Sequence, residues 1–248
     1  MMQDRKRLRA ETLLVLGVSL GYSAVYSIVD IIGKLSASLP LSSQTTTLNP
    51  SRASGRPVLD LAFQLVEIVF GAVPALLAIH LLGNDPGEGR ARLGLLPPRL
   101  RSDLGRGAAL AACIGIPGLA FYLGARALGV NTTIVPEALP KLWWTVPVLL
   151  LSAFQNAFLE EIVVVGYLFE RLRAMSWGMT AAIIASALLR GTYHIYQGFG
   201  GFAGNAAMGI VFAYFYARTK RVGPLIVAHA LIDSIAFVGY AFVRGPWS

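Results

Sequence analysis

Long apolar segments constrain the fold of this chain more than any other feature. A membrane-spanning helix needs roughly 20 mainly apolar residues. About seven segments approach that length, namely residues 12–35, 58–83, 107–129, 142–170, 177–197, 201–218 and 222–243. Charged residues make up only 14% of the chain and hydrophobic residues 55%, which argues against a soluble domain and against disorder. The sequence predicts an all-α fold, a polytopic transmembrane helix bundle of about seven spans with a polar intramembrane cavity.

Basic residues are concentrated on one side of these predicted spans. The N-terminus and residues 84–106, 171–173 and 218–221 would share that side, and together they carry most of the 21 Lys and Arg residues. Because cytoplasmic loops are enriched in Lys and Arg, we predict an integral membrane protein with a cytoplasmic N-terminus. The net charge of +8 is accounted for by these basic loops, which are typical of the cytoplasmic side of a membrane protein. We therefore expect no nucleic-acid partner.

Polar and ionisable side chains cluster in the spans of the second half. They are Glu160 and Glu161 in the fourth span, Arg190 and His194 in the fifth, Asn205 in the sixth, and His229 and Asp233 in the seventh. The pairs 190/194 and 229/233 have a spacing of four residues, so each pair shares a helix face. Ionisable groups cost several kcal/mol in hydrocarbon unless they are paired or hydrated. We therefore expect one buried cluster, which Asn205 either joins or supports by bridging helices.

This set of side chains suits two kinds of chemistry. A carboxylate with two imidazoles in a dry cavity can activate water and stabilise an oxyanion. The same groups, taken as Glu160, His194 and His229, could also bind zinc with a water as fourth ligand. The residues alone do not decide between these alternatives. The H-E-x-x-H pattern of common zinc proteases is absent from the sequence.

Three short motifs in the fourth, fifth and seventh predicted spans carry a family resemblance. Glu160-Glu161 resembles the start of EExxxR, the step from Arg190 to His194 resembles FxxxH, and His229-x-x-x-Asp233 resembles HxxxN/D. These are the motifs of the CPBP family, which comprises CAAX proteases and bacteriocin-processing enzymes and is also called Abi or type II CAAX prenyl endopeptidase.

The resemblance covers one part of the chain. It divides the chain into N-terminal transmembrane helices without a motif, residues 1–141, and a CPBP/Abi-like catalytic core, residues 142–243. Residues 187–194 are similar to bacterial members, so the resemblance places the protein in a bacterial plasma membrane.

The resemblance also implies a function and residue roles. It implies an intramembrane endopeptidase that hydrolyses a peptide bond of a membrane-associated or lipidated substrate. Glu160 matches the catalytic glutamate, Glu161 its partner, and His194 the histidine that helps to orient the attacking water. His229 and Asp233 match the pair that forms the oxyanion site. Family members are named metalloproteases, yet the resemblance favours a glutamate-dependent mechanism, so we expect no required cofactor and keep zinc as the alternative.

Three positions depart from the family pattern. Val165 stands where EExxxR has arginine, and Arg190 stands where FxxxH has an aromatic residue. We hypothesise that Arg190 supplies the missing guanidinium from the neighbouring helix by pairing with Glu161. Asp233 replaces the commoner asparagine and would repel an oxyanion if it were ionised and unpaired. It must therefore be protonated, or it must hold His229 as an imidazolium donor.

Two other function classes stay open at this point. The departure at Arg190 is compatible with a non-enzymatic membrane scaffold or a bacteriocin-immunity-type protein. Buried carboxylates also occur in proton-coupled transporters, although the sequence lacks the paired repeats that many transporters contain.

Overall fold

The computed structural model describes residues 2–83 and 86–243 and confirms the predicted all-α membrane bundle. Its helices are α1 (Met2–Gly17), α2 (Leu20–Ser36), α3 (Pro57–Gly71), α4 (Val73–Leu82), α5 (Pro86–Arg92), α6 (Leu100–Ala127), α7 (Thr145–Glu160), α8 (Leu168–Ala174), α9 (Met179–Tyr193), α10 (Phe199–Thr219) and α11 (Gly223–Val243). A π-helical segment, Glu161–Tyr167, joins α7 to α8 without a break. Short 3₁₀ turns occur at Leu41–Ser43 and Ile195–Gln197.

The predicted count of seven spans is not confirmed. Within residues 2–83 and 86–243, four helical segments are long and apolar enough to cross a membrane: Pro57–Leu82, Leu100–Ala127, Thr145–Ala174 and Gly223–Val243. A fifth span results if α1 and α2 count as one helix bent by 55°. The segment predicted at 177–197 is short because α9 has only 15 residues. The segment predicted at 201–218 forms helix α10, but its glycines and Asn205 reduce its apolar character, so it is not among these segments.

Charged contacts gather the basic loops at one end of the bundle. Arg171 of α8 binds Glu11 of α1 at 2.7 Å, and Arg221 binds Asp103 at the start of α6 at 2.7 Å. Loops far apart in sequence therefore meet at this end, as the charge distribution predicts. The assignment of this end to the cytoplasm stays a prediction.

A small parallel sheet organises the opposite end. β1 (Thr45–Thr47) pairs with β2 (Thr133–Val135), with Thr46 opposite Ile134. These strands lie outside the all-α prediction, and they give order to a Ser/Thr-rich loop between the predicted spans. They form because two polar loops meet at the same end of the bundle and pair their backbone groups.

Helix α2 is hydrogen-bonded to the segment around the end of α9. The Ser27 hydroxyl donates to the Tyr193 carbonyl at 2.9 Å, and the Lys34 ammonium donates to the Tyr196 carbonyl at 2.6 Å. The ammonium also pairs with Asp30 at 2.7 Å. A helix without any family motif thus positions the chain on both sides of His194.

Helices α9 and α10 approach each other closely at glycines. A Cβ atom added to Gly209 would lie 2.9 Å from Cα of Ala187 and 3.3 Å from Cδ of Arg190. A Cβ atom on Gly191 would lie 2.8 Å from the Phe202 carbonyl oxygen. Small residues are typical where membrane helices pack backbone to backbone. Here they let α10 cover the Arg190 side chain.

The buried Glu11–Arg171 pair generates a prediction about stability. Glu11 accepts from both Arg171 and the Tyr167 hydroxyl, so Glu11→Gln leaves a largely buried guanidinium without its countercharge. We expect it to lower the free energy of unfolding by about 3 kcal/mol. Thermal unfolding in detergent would measure this, with Glu88→Gln in the exposed Glu88–Arg92 pair as control and an expected loss below about 1 kcal/mol. Equal losses in both variants would contradict the prediction.

Candidate active site

Three of the predicted site residues meet around the guanidinium of a fourth, Arg190. Nη2 of Arg190 lies 3.1 Å from Oε2 of Glu160, contacts Oε1 of Glu161, and lies 3.4 Å from Nδ1 of His229. Arg190 and Glu161 are completely buried, and Glu160 keeps a small exposed fraction of 9%. The arrangement brings two carboxylates, a guanidinium and an imidazole together from α7, the π-helical segment, α9 and α11.

The change from α-helix to π-helix occurs between the two glutamates. Glu160 ends α7, and Glu161 begins the π-helical segment, all of whose residues are buried. The wider turn leaves backbone groups to be bonded from outside, and Ser186 of α9 donates to the Val164 carbonyl at 2.9 Å. Single π-helical turns within helices are frequent at functional sites.

The contact hypothesised between Arg190 and Glu161 is present. Their ion pair is fully buried, and the Phe212 ring lies 5.3 Å from the guanidinium carbon. Val165 is also completely buried. The guanidinium therefore reaches the carboxylate pair from α9, and its equivalence to the arginine of the family motif stays a hypothesis.

His229 lies between two carboxylates. Its Nδ1 is 2.7 Å from Oε1 of Glu161, and its Nε2 is 3.5 Å from Oδ2 of Asp233. A neutral imidazole donates from one ring nitrogen, whereas an imidazolium donates from both. Carboxylates on both sides fit a positively charged His229. Two roles were open for Asp233, and this arrangement favours the one in which Asp233 holds His229 as an imidazolium.

His194 and Asn205 are less closely connected to the cluster. His194 caps α9, and its Nδ1 lies 3.1 Å from the Arg190 carbonyl oxygen, an acceptor, so Nδ1 is assigned as the protonated nitrogen. In the neutral ring this leaves Nε2 as an acceptor. Asn205 donates to the Gly201 carbonyl one turn earlier in α10. Neither side chain makes a hydrogen bond to Glu160 within the described residues.

Tyr193 belongs to the cluster, although it is not among the residues predicted from the sequence. Its hydroxyl donates to Oε2 of Glu160 at 2.7 Å and accepts from Nε of Arg190 at 3.3 Å. The side chain is almost entirely buried. A spacing of three residues from Arg190 places Tyr193 on the same helix face, which is the signal that could have found it. A buried tyrosine in an apolar helix otherwise resembles an ordinary core residue.

A polar cavity adjoins α7, the helix that ends at Glu160. It has a volume of about 130 Å³ and lies between the loop of residues 48–52, α3 and α7. Its polar lining includes Asn49, Gln64, Ser152, Gln155 and Asn156. Asn156 is one helical turn before Glu160, so the cavity brings a polar surface close to the cluster along α7.

Three residues of the cluster carry atoms that could bind a metal ion. Glu160, Glu161 and His229 offer ligand atoms within 4.8 Å of one another. The predicted zinc ligands were Glu160, His194 and His229, so this group contains Glu161 where the prediction has His194. However, Nη2 of Arg190 contacts or closely approaches all three ligand residues. A divalent ion among these atoms would meet a fixed positive charge at short range. The residues in this arrangement do not fit a metal ion.

Comparison with known proteins identifies the region that contains the cluster. A family model described as "Type II CAAX prenyl endopeptidase Rce1-like" matches residues 142–235. This part of the chain is similar to that family. The match confirms the resemblance to CAAX proteases of the CPBP family that the three motifs indicated. Searches of the curated proteins and of the solved structures give no match.

The Rce1-like region contains all the predicted site residues and Tyr193. The family is described as one of endopeptidases, and four helical segments within the described residues are long and apolar enough to cross a membrane. The match does not assign roles to individual side chains, so the roles of Glu160, Glu161, His194, His229 and Asp233 stay predictions.

The buried guanidinium generates a prediction about the cluster. Arg190→Phe leaves two buried carboxylates without their shared cation, and we expect a loss of about 3–5 kcal/mol in the free energy of unfolding. If Arg190 replaces the arginine of the family motif, then adding Val165→Arg restores at least half of that loss. Thermal unfolding of the purified variants would measure both effects. The single variant Val165→Arg is the control, and it should be destabilised because it adds a second buried cation.

A double variant no more stable than Arg190→Phe would contradict the replacement hypothesis. The contact between Arg190 and the glutamates would then be unrelated to the arginine of the family motif.

Proposed function

We propose that this protein is an intramembrane endopeptidase that hydrolyses a peptide bond of a membrane-associated or lipidated substrate. The observation that carries the proposal is the unequal environment of the two oxygens of Glu160. Oε2 is held by Arg190 and Tyr193, whereas Oε1 accepts no hydrogen bond within the described residues. A carboxylate fixed by one oxygen and free at the other is suited to bind and deprotonate a water molecule.

The remaining groups would serve the other steps of hydrolysis. Glu160 takes a proton from water, and the resulting hydroxide attacks the carbonyl carbon of the scissile peptide. His194 would help to orient that water through Nε2, which its hydrogen bond to the Arg190 carbonyl leaves as an acceptor. His229 would donate to the developing oxyanion from Nε2, because Nδ1 is bonded to Glu161 whereas Nε2 lies 3.5 Å from Asp233, beyond ordinary hydrogen-bond distance. The proton held by Glu160 then passes to the peptide nitrogen, and the carbon–nitrogen bond breaks.

Asp233 would keep His229 charged in this scheme. An imidazolium beside Asp233 and Glu161 has two countercharges, so it can be buried without leaving an unpaired cation. Glu161 would act through His229 and Arg190 without touching the substrate. Asn205 makes its hydrogen bond within α10, to the Gly201 carbonyl, so it has no part in this scheme.

We also propose that the reaction requires no metal ion. The support is the Arg190 guanidinium, which contacts or closely approaches Glu160, Glu161 and His229. Electrostatic stabilisation of the transition state then comes from fixed protein groups, which need no reorganisation during the reaction.

The substrate class follows from the family description and the setting of the site. The matched family is described as a prenyl endopeptidase, which acts on a lipidated protein. Large apolar side chains such as Phe70, Ile116 and Leu119 are exposed on the outer helices. Such side chains face lipid in a membrane, where a prenylated or otherwise acylated segment, or a transmembrane segment, would also lie.

A comparison of protein termini tests the proposed activity. Wild type and Glu160→Gln are expressed at equal levels in the native host, and the N- and C-termini of membrane proteins are compared by mass spectrometry. We expect new termini with the wild type, and at least a thousandfold lower yield with Glu160→Gln, because the base is lost. Glu88→Gln, which changes an exposed glutamate, should cleave normally. Identical termini in wild type and Glu160→Gln would favour the scaffold or the transporter instead.

A chelator series tests the proposal that no metal is needed. The purified enzyme is incubated with EDTA and with 1,10-phenanthroline, and cleavage of the substrate identified above is measured. We expect the rate to stay within about twofold of the untreated enzyme, because the charged groups that carry the reaction are side chains. A loss of tenfold or more that added zinc restores would overturn this proposal.

A further inference from the structure

The two oxygens of the Glu160 carboxylate are distinguished by a residue at a position that the FxxxH motif leaves unspecified. Tyr193 donates its hydroxyl hydrogen to Oε2 at 2.7 Å. The contact joins α9 to the last residue of α7 and lies in the buried interior. A hydrogen bond from a neutral donor to a carboxylate in such a place is charge-assisted and orients the carboxylate plane.

Arg190 cannot define this orientation alone. Its Nη2 is shared between Glu160, Glu161 and His229, and the bond to Glu160 is the longer of its two carboxylate contacts, at 3.1 Å. Among the residues that the structure describes, Tyr193 bonds to no second carboxylate, and its bond to Glu160 is the shorter of the two that Glu160 accepts. The hydroxyl is itself directed by Nε of Arg190, which donates to its oxygen at 3.3 Å.

The backbone of Tyr193 is also held in place. Its carbonyl oxygen accepts from the Ser27 hydroxyl of α2 at 2.9 Å. The ring lies against the imidazole of His194, with centroids 4.7 Å apart. Tyr193 therefore has little freedom to turn away from Glu160, and its hydroxyl stays directed at one oxygen.

We propose that Tyr193 is a positioning residue that holds Oε2 of Glu160 and leaves Oε1 to act on water. The proposal rests on the proposed peptidase function. Without the Tyr193 hydroxyl, the carboxylate can rotate, and Oε1 can turn towards Arg190. The base then spends less time in the orientation that binds water for attack, so the chemical step slows while substrate binding is unaffected.

The test separates the chemical step from binding. Tyr193→Phe removes only the hydroxyl, and kcat and KM are measured with the substrate identified by terminus mapping. We expect kcat to fall about 10- to 100-fold, the usual effect of losing one hydrogen bond to a charged group. We expect KM to change less than about twofold, because the hydroxyl does not contact the substrate. Tyr196→Phe is the matched control and should change neither constant, since the Tyr196 hydroxyl accepts from Gln197 and, within the described residues, does not donate to Glu160.

A second substitution guards against loss of the fold. Incorporation of 3-fluorotyrosine at position 193 keeps both the ring and the hydroxyl, and kcat should stay within about threefold of wild type. Wild-type kcat in Tyr193→Phe, or a rise in KM with kcat unchanged, would overturn the positioning role. If Glu160→Gln also cleaves normally, the proposed function itself fails. If only Tyr193→Phe cleaves normally, the function stands and the positioning role alone is wrong.

Discussion

A single buried guanidinium determines how the second half of this chain can pack. Arg190 is fully enclosed by protein and forms ion pairs with two carboxylates inside the helix bundle, those of Glu160 and Glu161. Charges in such a place are stable only when they are paired and hydrogen-bonded. The helices that carry them must therefore meet at this point, and the polar groups of α11 then complete the cluster through His229.

The surrounding structure supports this cluster in ways that the motifs do not record. Glycines at positions 191 and 209 let α10 lie close against α9 and cover the arginine. The π-helical segment begins at Glu161 and buries every side chain that follows it up to Tyr167. Tyr193 adds a donor to the one glutamate that keeps some exposure. Together these features give two adjacent glutamates different surroundings, and with them different proposed roles.

Much of the fold and of the candidate site could be predicted, because both depend on local rules. The cost of burying charge predicted that polar residues of separate helices would meet, and helical spacing predicted which of them share a face. The missing and the additional arginine predicted the contact between Arg190 and Glu161. The number of spans could not be predicted in the same way. Hydropathy does not reveal that α9 ends after 15 residues or that α1 and α2 are bent at their junction.

Tyr193 and the small sheet were missed for a different reason. Each depends on which distant segments are neighbours, and a single sequence does not contain that information. Residues 45–47 and 133–135 pair only because two loops meet at one end of the bundle. Likewise, Tyr193 becomes distinguishable from a core tyrosine only when α7 lies opposite its hydroxyl.

The hydrogen bonds from α2 to the end of α9 bear on how proteins of this kind can diverge. Ser27 and Lys34 hold the carbonyls of Tyr193 and Tyr196, on either side of His194. They lie outside the residues that the family match covers. Bonds to backbone carbonyls make few demands on the identity of the residue that accepts them. The N-terminal helices can therefore lose all recognisable sequence similarity between relatives and still hold the same histidine, provided that some donor remains at these positions.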